Sequence, residues 1–324
     1  MPRPAAIRGS APGKVILLGE HAVVYGRAAI AAAIDRRVEV ALRPATGSAR
    51  FDQEDDSRLA TALKRAAELV GGPTSDFVAT ISSDLPRAMG LGSSAALSVA
   101  LVRALATQAG RRLEVAELSA LAFEIETIFH GTPSGIDNST AAHGGLIFFR
   151  RNEAGKAQVR PLSAACSVPL VIALGREPRA TQTTVGALRQ RRAADPQRHE
   201  QLFDEIDRLV ADAERAIVAG DLAELGVLMN SNHGLLGTLG VSTDELESMV
   251  TLARRGGALG AKLTGGGGGG AVICLCPDGR EQLVDAFARA GWQAFLADIA
   301  QEGRGGADGK DDAKGVERRH AARA

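Results

Sequence analysis

The sequence predicts a mixed α/β protein with room for one large or two ordinary domains. The chain has 324 residues, of which 45% are hydrophobic and 23% charged, as is usual for a globular protein. Short apolar or alternating segments of strand length are interspersed with longer segments of helical spacing, which is an alternating α/β layout. Aromatic residues are only 3% of the chain, so the core must consist mainly of Ala, Val, Leu and Ile.

The N-terminal half begins with a short apolar run that predicts a buried strand. The run, which starts at Lys14, ends at Glu20 and His21, so a carboxylate and an imidazole lie together at a strand terminus. Taken singly, such a lysine is usually solvated, and a Glu-His pair is more often a feature of a loop than a site. The strands expected in this half are residues 14–19, 37–42, 76–81 and 144–149, and the helices are 57–70, 93–108 and 115–130.

A glycine turn joins the strand 76–81 to the helix that begins at Ser93. Gly90 and Gly92 let a ligand approach the backbone, because glycine has no Cβ. The free amides of a helix N-terminus favour an anion such as phosphate, and a serine hydroxyl there could ligate Mg²⁺. On this stretch alone, an ordinary glycine connection with a serine cap is about equally plausible.

The same turn also fits the dinucleotide fingerprint G-x-G-x-x-G/A, through Gly90, Gly92 and Ala95. That fingerprint requires a second parallel strand after the helix, ending in an acidic residue. Here the helix is followed by another helical pattern at 114–129. A NAD site is therefore disfavoured.

Two carboxylates flank the next turn, which comprises residues 131–135. Glu126 lies in the last turn of the expected helix, and Asp137 follows a segment whose glycines and proline prevent the helix from continuing. Facing one pocket, one carboxylate could hold Mg²⁺ while the other takes a proton from a hydroxyl. The alternative is that Glu126 lies on the surface and Asp137 caps the next turn.

The C-terminal half continues with strands and long helices. Six consecutive glycines at 265–270 are flanked by structured segments, which favours a loop closely approached by a ligand or another backbone over a linker. Residues 301–324 are rich in charge, Gly and Ala without periodicity, which predicts a disordered tail. The strands expected here are 167–174, 271–276 and 292–299, with a helix at 280–290 and a helical segment at 183–255 interrupted near 195–196, 220–221 and 234–242.

Charge and cysteine content narrow the class of protein. Lys plus Arg and Asp plus Glu are both 38 and the pI is near 7.0, so no basic field for nucleic acid or an anionic membrane is expected, and small-molecule chemistry is favoured. We interpret Cys166, Cys274 and Cys276 as buried structural thiols in a reducing compartment. The N-terminus resembles no signal peptide and no apolar run has membrane-spanning length, which predicts a cytoplasmic protein.

Three segments together resemble the three motifs of the GHMP kinase superfamily, in their order and in their spacing. They are residues 12–26, the glycine turn at 90–96, and Lys262-Leu263-Thr264 with its glycines. Within the superfamily, the G-E-H-A-V-V-Y-G form and the H-G-T-P-S-G-I-D-N turn are most similar to members that phosphorylate mevalonate. The resemblance extends from about residue 11 to 299.

The resemblance implies ATP-dependent, Mg²⁺-assisted phosphorylation of the C5 hydroxyl of (R)-mevalonate, a step of isoprenoid synthesis. The implied fold combines an α/β and an α+β domain, with the active site in the cleft between them. The N-terminal α/β domain would comprise residues 1–165, the C-terminal ferredoxin-like domain 166–300, and the tail 301–324. Mevalonate and ATP are the expected partners, and whether the chain forms a homodimer stays open.

The site residues are carried over by motif position. Asp137 resembles the family's catalytic base, and Lys14 the lysine beside it that stabilises charge near the phosphoryl group. Ser94 and Glu126 resemble the Mg²⁺ ligands. The residues that resemble the substrate side are Glu20, His21 and Thr181, and those of the ATP-binding turn are Ala88, Met89, Gly90, Leu91, Gly92, Ser93 and Ser94.

One position departs from the family pattern, whose turn is usually richer in glycine before Leu91. Ala88 replaces a glycine and is expected to narrow the phosphate loop or to shift its conformation. The rival substrates are phosphomevalonate, a sugar or homoserine. A non-catalytic nucleotide-binding protein is the other alternative, but the presence of Lys14, Ser94, Glu126 and Asp137 argues against it.

Overall fold

The computed structural model describes residues 6–52, 56–86, 88–130, 133–152, 155–176 and 181–300, without the side chains of 181 and 182. In these ranges the chain forms two sheets, each covered by helices. This arrangement confirms the predicted combination of an α/β and an α+β part. The tail expected at 301–324 lies outside the described residues.

The first sheet has the strand order β3-β4-β2-β5-β6, and β1 pairs with β2 off this path. All pairs are antiparallel except β3 with β4. The strands are β1 Ile7–Leu18, β2 Ala29–Ser48, β3 Arg50–Phe51, β4 Ser75–Ser83, β5 Leu146–Arg151 and β6 Ala157–Leu162.

Four helices and a short 3-10 helix accompany this sheet. β1 passes so close to α2 that a Cβ on Gly9 would lie 2.1 Å from the carbonyl oxygen of Ala100. This close packing fixes the strand that carries Lys14 against the helix that carries Ser94. The helices are α1 Ser57–Val70, α2 Ser93–Gln108, α3 Val115–His130 and α4 Ile136–His143, with the 3-10 helix at Ala22–Tyr25.

The second sheet is antiparallel, with the order β10-β7-β9-β8. Its strands β7, β8 and β9 are fully buried, as the unbroken apolar runs of β7 and β9 require, whereas β8 also buries Lys262 and Thr264. The strands are β7 Leu170–Leu174, β8 Gly260–Thr264, β9 Ala271–Leu275 and β10 Gln293–Ala297, and the helices are α5 Thr181–Ala194, α6 Pro196–Ala219, α7 Leu222–Thr238, α8 Asp244–Arg255 and α9 Arg280–Arg289.

The two sheets meet where β1 approaches β8. The amide of Ile16 donates to Thr264 Oγ1 at 2.9 Å, and this hydroxyl donates to the carbonyl oxygen of Ile16 at 3.2 Å. The described chain also returns to the first sheet at its end, where the amide of Ala300 donates to the carbonyl of Ala33 at 2.9 Å. Hydrogen bonds therefore join the two parts of the chain.

Several local expectations were wrong. β2 begins at Ala29 rather than near residue 37, because its first six residues are buried and apolar on both faces and show no alternation. α7 continues through Gly234 to Thr238, because the helix face that carries Met229, Asn232 and Leu236 is buried. Cys166 is exposed rather than buried, whereas Cys274 and Cys276 are buried as expected. No helix in the described part of the chain is long and apolar enough to cross a membrane.

Candidate active site

Lys14 and Asp137 form an ion pair where β1 meets the first turn of α4. Lys14 Nζ lies 3.0 Å from Asp137 Oδ1, and the exposed fraction is 2% for the lysine side chain and 26% for the aspartate. The amide of Lys14 donates to the carbonyl of Leu91 at 2.9 Å, and a Cβ on Gly92 would lie 2.7 Å from Lys14 Cγ. Lys14 thus joins the carboxylate to the glycine turn, and Asp137 is the member open to a ligand.

The glycine turn borders a cavity of about 290 Å³ at the N-terminus of α2. Gly90 and Gly92 both have positive φ, 86° and 74°, which glycine adopts without strain. Asp137 and His130 also line this cavity. The seven residues predicted for ATP binding all line this cavity: Ala88, Met89, Gly90, Leu91, Gly92, Ser93 and Ser94.

Ala88 has the backbone conformation that a glycine would adopt. Its φ is 60°, in the left-handed region. This conformation costs an L-residue about 1–2 kcal/mol. The alanine therefore keeps a glycine-like turn at the expense of local strain.

Ser94 and Glu126 meet between α2 and α3. Ser94 Oγ donates to Glu126 Oε1 at 2.8 Å, and Ser98 Oγ donates to Glu126 Oε2 at 3.4 Å. The Glu126 side chain is only 3% exposed, so the alternative that it lies on the surface is wrong. His130 Nδ1, which the sequence did not suggest, lies 2.8 Å from Glu126 Oε1 and 3.4 Å from Ser94 Oγ.

The Ser94 hydroxyl and the Glu126 carboxylate suit a hard cation that takes its remaining ligands from water and substrate. No cluster of three or more His, Cys, Asp or Glu side chains able to hold a metal occurs among the described residues. Mg²⁺ is usually bound by one or two protein oxygens together with water and substrate phosphates. A hydroxyl and a carboxylate beside the cavity at the glycine turn match that requirement.

Glu20 is enclosed by protein on every side. Its side chain is 0% exposed and forms an ion pair with Lys262, which is equally buried. Its Oε2 accepts from Asn232 Nδ2 at 3.2 Å, and Lys262 Nζ also donates to the carbonyl of Leu263 at 2.7 Å. Sequence analysis assigned a role to Glu20, gave Lys262 only as part of the third motif without a role, and did not single out Asn232. The signal for Lys262 was a lysine in a short segment directly before the glycine run.

His21 follows directly and is also buried, with 6% of its surface exposed. Its φ is 62°, unusual for a non-glycine residue, and its ring lies beside the backbone of Gly266. Nε2 has no hydrogen-bond partner among the described residues. Burial lowers the pKa of His21 to about 4, and the nearby positive charge of Lys262 acts in the same direction. The imidazole is therefore neutral at neutral pH.

Thr181, the third residue expected on the substrate side, is the first residue of α5. Its side chain lies outside the described part of the structure, so its role stays a prediction. Residues 175–180 connect β7 to this helix, and residues 177–180 are not described.

Comparison with known proteins matches both halves of the chain to one superfamily. The model of the GHMP kinases N terminal domain matches residues 57–145, and that of the GHMP kinases C terminal domain matches 213–293. The mevalonate kinase of Aeropyrum pernix is 36% identical over 92% of this chain and 97% of its own length. The mevalonate kinase of Methanothermobacter thermautotrophicus is 36% identical, with coverages of 91% and 98%.

A solved structure agrees with these relatives. The crystal structure of L. major mevalonate kinase in complex with R-mevalonate is 31% identical, covers 91% of this chain and 96% of its own, and superimposes with a TM-score of 0.82. Fold, motifs and full-length similarity thus coincide. The chain belongs to the mevalonate kinase family of the GHMP kinases.

Proposed function

We propose that this chain transfers the γ-phosphoryl group of ATP to the C5 hydroxyl of (R)-mevalonate, giving 5-phosphomevalonate for isoprenoid synthesis. The observation that carries the proposal is the Lys14–Asp137 pair, with its 3.0 Å contact beside a glycine turn at a helix N-terminus. The similarity to a kinase solved with R-mevalonate supports the choice of acceptor. The family membership supports ATP as the donor.

Asp137 is the proposed base. The bond between the C5 oxygen and the γ-phosphorus forms as the bond from that phosphorus to the bridging oxygen of ADP breaks, and Asp137 takes the hydroxyl proton. Its partial exposure of 26% lets it reach a bound alcohol, whereas the buried Lys14 cannot leave its side. The lysine charge stabilises the negative charge of the transferring group.

The glycine turn and the start of α2 are the proposed phosphate site. Amides at a helix N-terminus and its dipole attract phosphate oxygens. Away from the turn, the same cavity is lined by Val38, Leu59 and Ile81, which are apolar, and by Arg58. We assign this part to the nucleoside of ATP.

Ser94 and Glu126 are the residues that would hold Mg²⁺. When bound, the ion would neutralise charge on the phosphates of ATP. The protein's own contribution is to place a hydroxyl from α2 and a carboxylate from α3 side by side, 2.8 Å apart. His130 lies against the same carboxylate oxygen and orients it.

The acceptor is proposed to bind between the two parts of the chain, near His21 and Thr181. The division into domains at 1–165 and 166–300 belongs to this proposal, since the strands of the two sheets lie within 7–162 and 170–297. The cytoplasmic location and the homodimer considered from the sequence stay predictions.

The substrate is tested by ADP release from Mg-ATP with a panel of alcohols. We expect turnover with mevalonate and background rates with phosphomevalonate, galactose and homoserine. Turnover with a different alcohol would keep the mechanism and discard the substrate. ATP binding without turnover of any alcohol would favour a nucleotide-binding protein.

A further inference from the structure

A buried polar cluster joins the two parts of the chain next to the proposed acceptor site. It consists of Glu20, at the end of β1, Lys262 of β8 and Asn232 of α7, and we call it the Glu20 cluster. The exposed fraction is 1% for Glu20 and 0% for the other two. Charged groups so fully removed from water need partners inside the protein.

The contacts of Glu20 are all made by protein. Lys262 Nζ binds Oε1, and Asn232 Nδ2 donates to Oε2 at 3.2 Å. The Glu20 side chain has no exposed surface, and both of its carboxylate oxygens are engaged by protein groups. Glu20 is therefore suited to act through a neighbouring residue.

The neighbour that needs support is His21. A non-glycine residue at φ 62° is strained, and such a conformation persists only where its surroundings hold it. The amide of Ala22 donates to the carbonyl of Glu20 at 2.7 Å, which makes the turn around His21 tight. The Glu20 side chain, held by Lys262 and Asn232, anchors this turn, and the buried His21 ring lies beside the backbone of Gly266.

We propose that Lys262 and Asn232 are positioning residues that act through Glu20 to hold the His21 ring, with its unpartnered Nε2, toward the phosphoryl acceptor. The inference rests on the proposed function, because it concerns the acceptor side of that site. Glu20 and His21 belong to the first part of the chain, and Lys262, Asn232 and Gly266 belong to the second. The acceptor side is thus complete only when both parts are docked.

The first test replaces the cluster by neutral residues of similar size. The double variant Glu20→Gln/Lys262→Met leaves no unpaired buried charge, and Asn232→Leu leaves the ion pair intact. We expect the KM for mevalonate to rise at least about tenfold in the first and less in the second, while the KM for ATP stays within about twofold. Equal increases in both KM values, or no change in either, would overturn the proposal.

The matched control is an ion pair that also joins the two parts but is exposed. Arg160 of β6 and Glu214 of α6 lie 2.8 Å apart, with 47% and 25% of their side chains exposed. The variant Arg160→Met/Glu214→Gln is expected to keep both KM values and kcat. A rise in the KM for mevalonate in this control as large as in the Glu20 cluster would show a general effect of domain contacts.

The second test asks whether the cluster acts through His21. In a His21→Ala background, Asn232→Leu should raise the KM for mevalonate no further, whereas a purely structural role gives additive effects. Asn232→Leu carries this test even if the double variant fails to fold. If the wild-type enzyme phosphorylates another alcohol, the proposed substrate is wrong, and the same cycle measured with that alcohol still tests the positioning role.

Discussion

At the scale of one residue, Ala88 shows how the glycine turn accommodates a residue that departs from the family pattern. The sequence suggested a narrowed or shifted loop, but could not tell which, because the backbone angle depends on the packing of the whole turn. In the structure the alanine has the left-handed φ of 60°. The turn is therefore kept, and its residues line the cavity.

We therefore predict that Ala88→Gly stabilises the protein. Removing the Cβ relieves left-handed strain of about 1–2 kcal/mol, partly offset by the greater freedom of glycine in the unfolded chain, for a net gain of up to about 1 kcal/mol. Urea denaturation measures it. The control Ala120→Gly, at an exposed position inside α3, should lower the free energy of unfolding by about 1 kcal/mol. A loss of stability in Ala88→Gly similar to the control's would contradict the strain.

His21 predicts a pH dependence of stability. Its pKa is lowered from 6.5 to about 4 in the folded protein, chiefly by burial. Its contribution to stability is therefore fully present above pH 6.5 and is lost as the pH falls from 6.5 to about 4, because only the unfolded chain binds the proton in that window. The total loss is about 3 kcal/mol.

The variant His21→Asn removes this titration and suits the backbone, since asparagine tolerates positive φ. Urea midpoints at neutral pH and near pH 4.5 should differ less in the variant than in the wild type. An equal difference in both proteins would mean that other groups cause the acid sensitivity.

At the scale of elements, the helices were the most predictable part. The bounds of α1, α2 and α3 agree with the expected ones because each has a clear signal, such as the capping carboxylate of Asp56 and the left-handed Gly71 at the two ends of α1. β6 is not among the strands expected from the sequence, because its residues are mostly exposed and show no apolar run. Such an edge strand forms because it pairs with β5, and this pairing cannot be inferred from the sequence of one segment alone.

The same limit applies to the site. The glycine turn, Lys14 and Asp137 could be found from motifs, and the structure brings them together. Lys262 and Glu20 are 242 residues apart in sequence, and although both lie in motifs of the superfamily, neither motif shows that the two side chains form a pair. Asn232 lies on a helix face that reads as ordinary core, so its polar contact is visible only in three dimensions.

The junction of α2 and α3 predicts a change in metal requirement. Glu126→Gln weakens the carboxylate of the proposed Mg²⁺ site, so we expect about tenfold more Mg²⁺ for half-maximal activity, together with a lower kcat. Magnesium titration of the ADP-release rate measures this effect. Glu124→Gln changes the same charge on an exposed part of α3 and should leave the titration unchanged. If the two variants gave the same magnesium titration, Glu126 would not be part of the metal site.

At the scale of the whole molecule, hydrogen bonds between β1 and β8 join the two sheets. Thr264→Val keeps the shape of the side chain and removes both hydrogen bonds to Ile16. Because these backbone groups are buried, we expect the free energy of unfolding to fall by about 1–3 kcal/mol. Urea denaturation at constant pH measures the change.

The matched control for this substitution is Thr107→Val, at an exposed position near the end of α2. It should change the free energy of unfolding by no more than about 0.5 kcal/mol. If Thr264→Val changes the free energy of unfolding as little, the hydrogen bonds between Thr264 and Ile16 do not stabilise the docked arrangement.

The most direct test of the account is the rate of ADP release by Asp137→Asn with Mg-ATP and (R)-mevalonate. Asparagine keeps the size of the side chain beside Lys14 but cannot accept the hydroxyl proton. We predict a fall in kcat of about 10²–10⁴-fold, with the KM for ATP within about twofold of the wild type and an unchanged fold by circular dichroism. Full turnover by this variant would contradict Asp137 as the base.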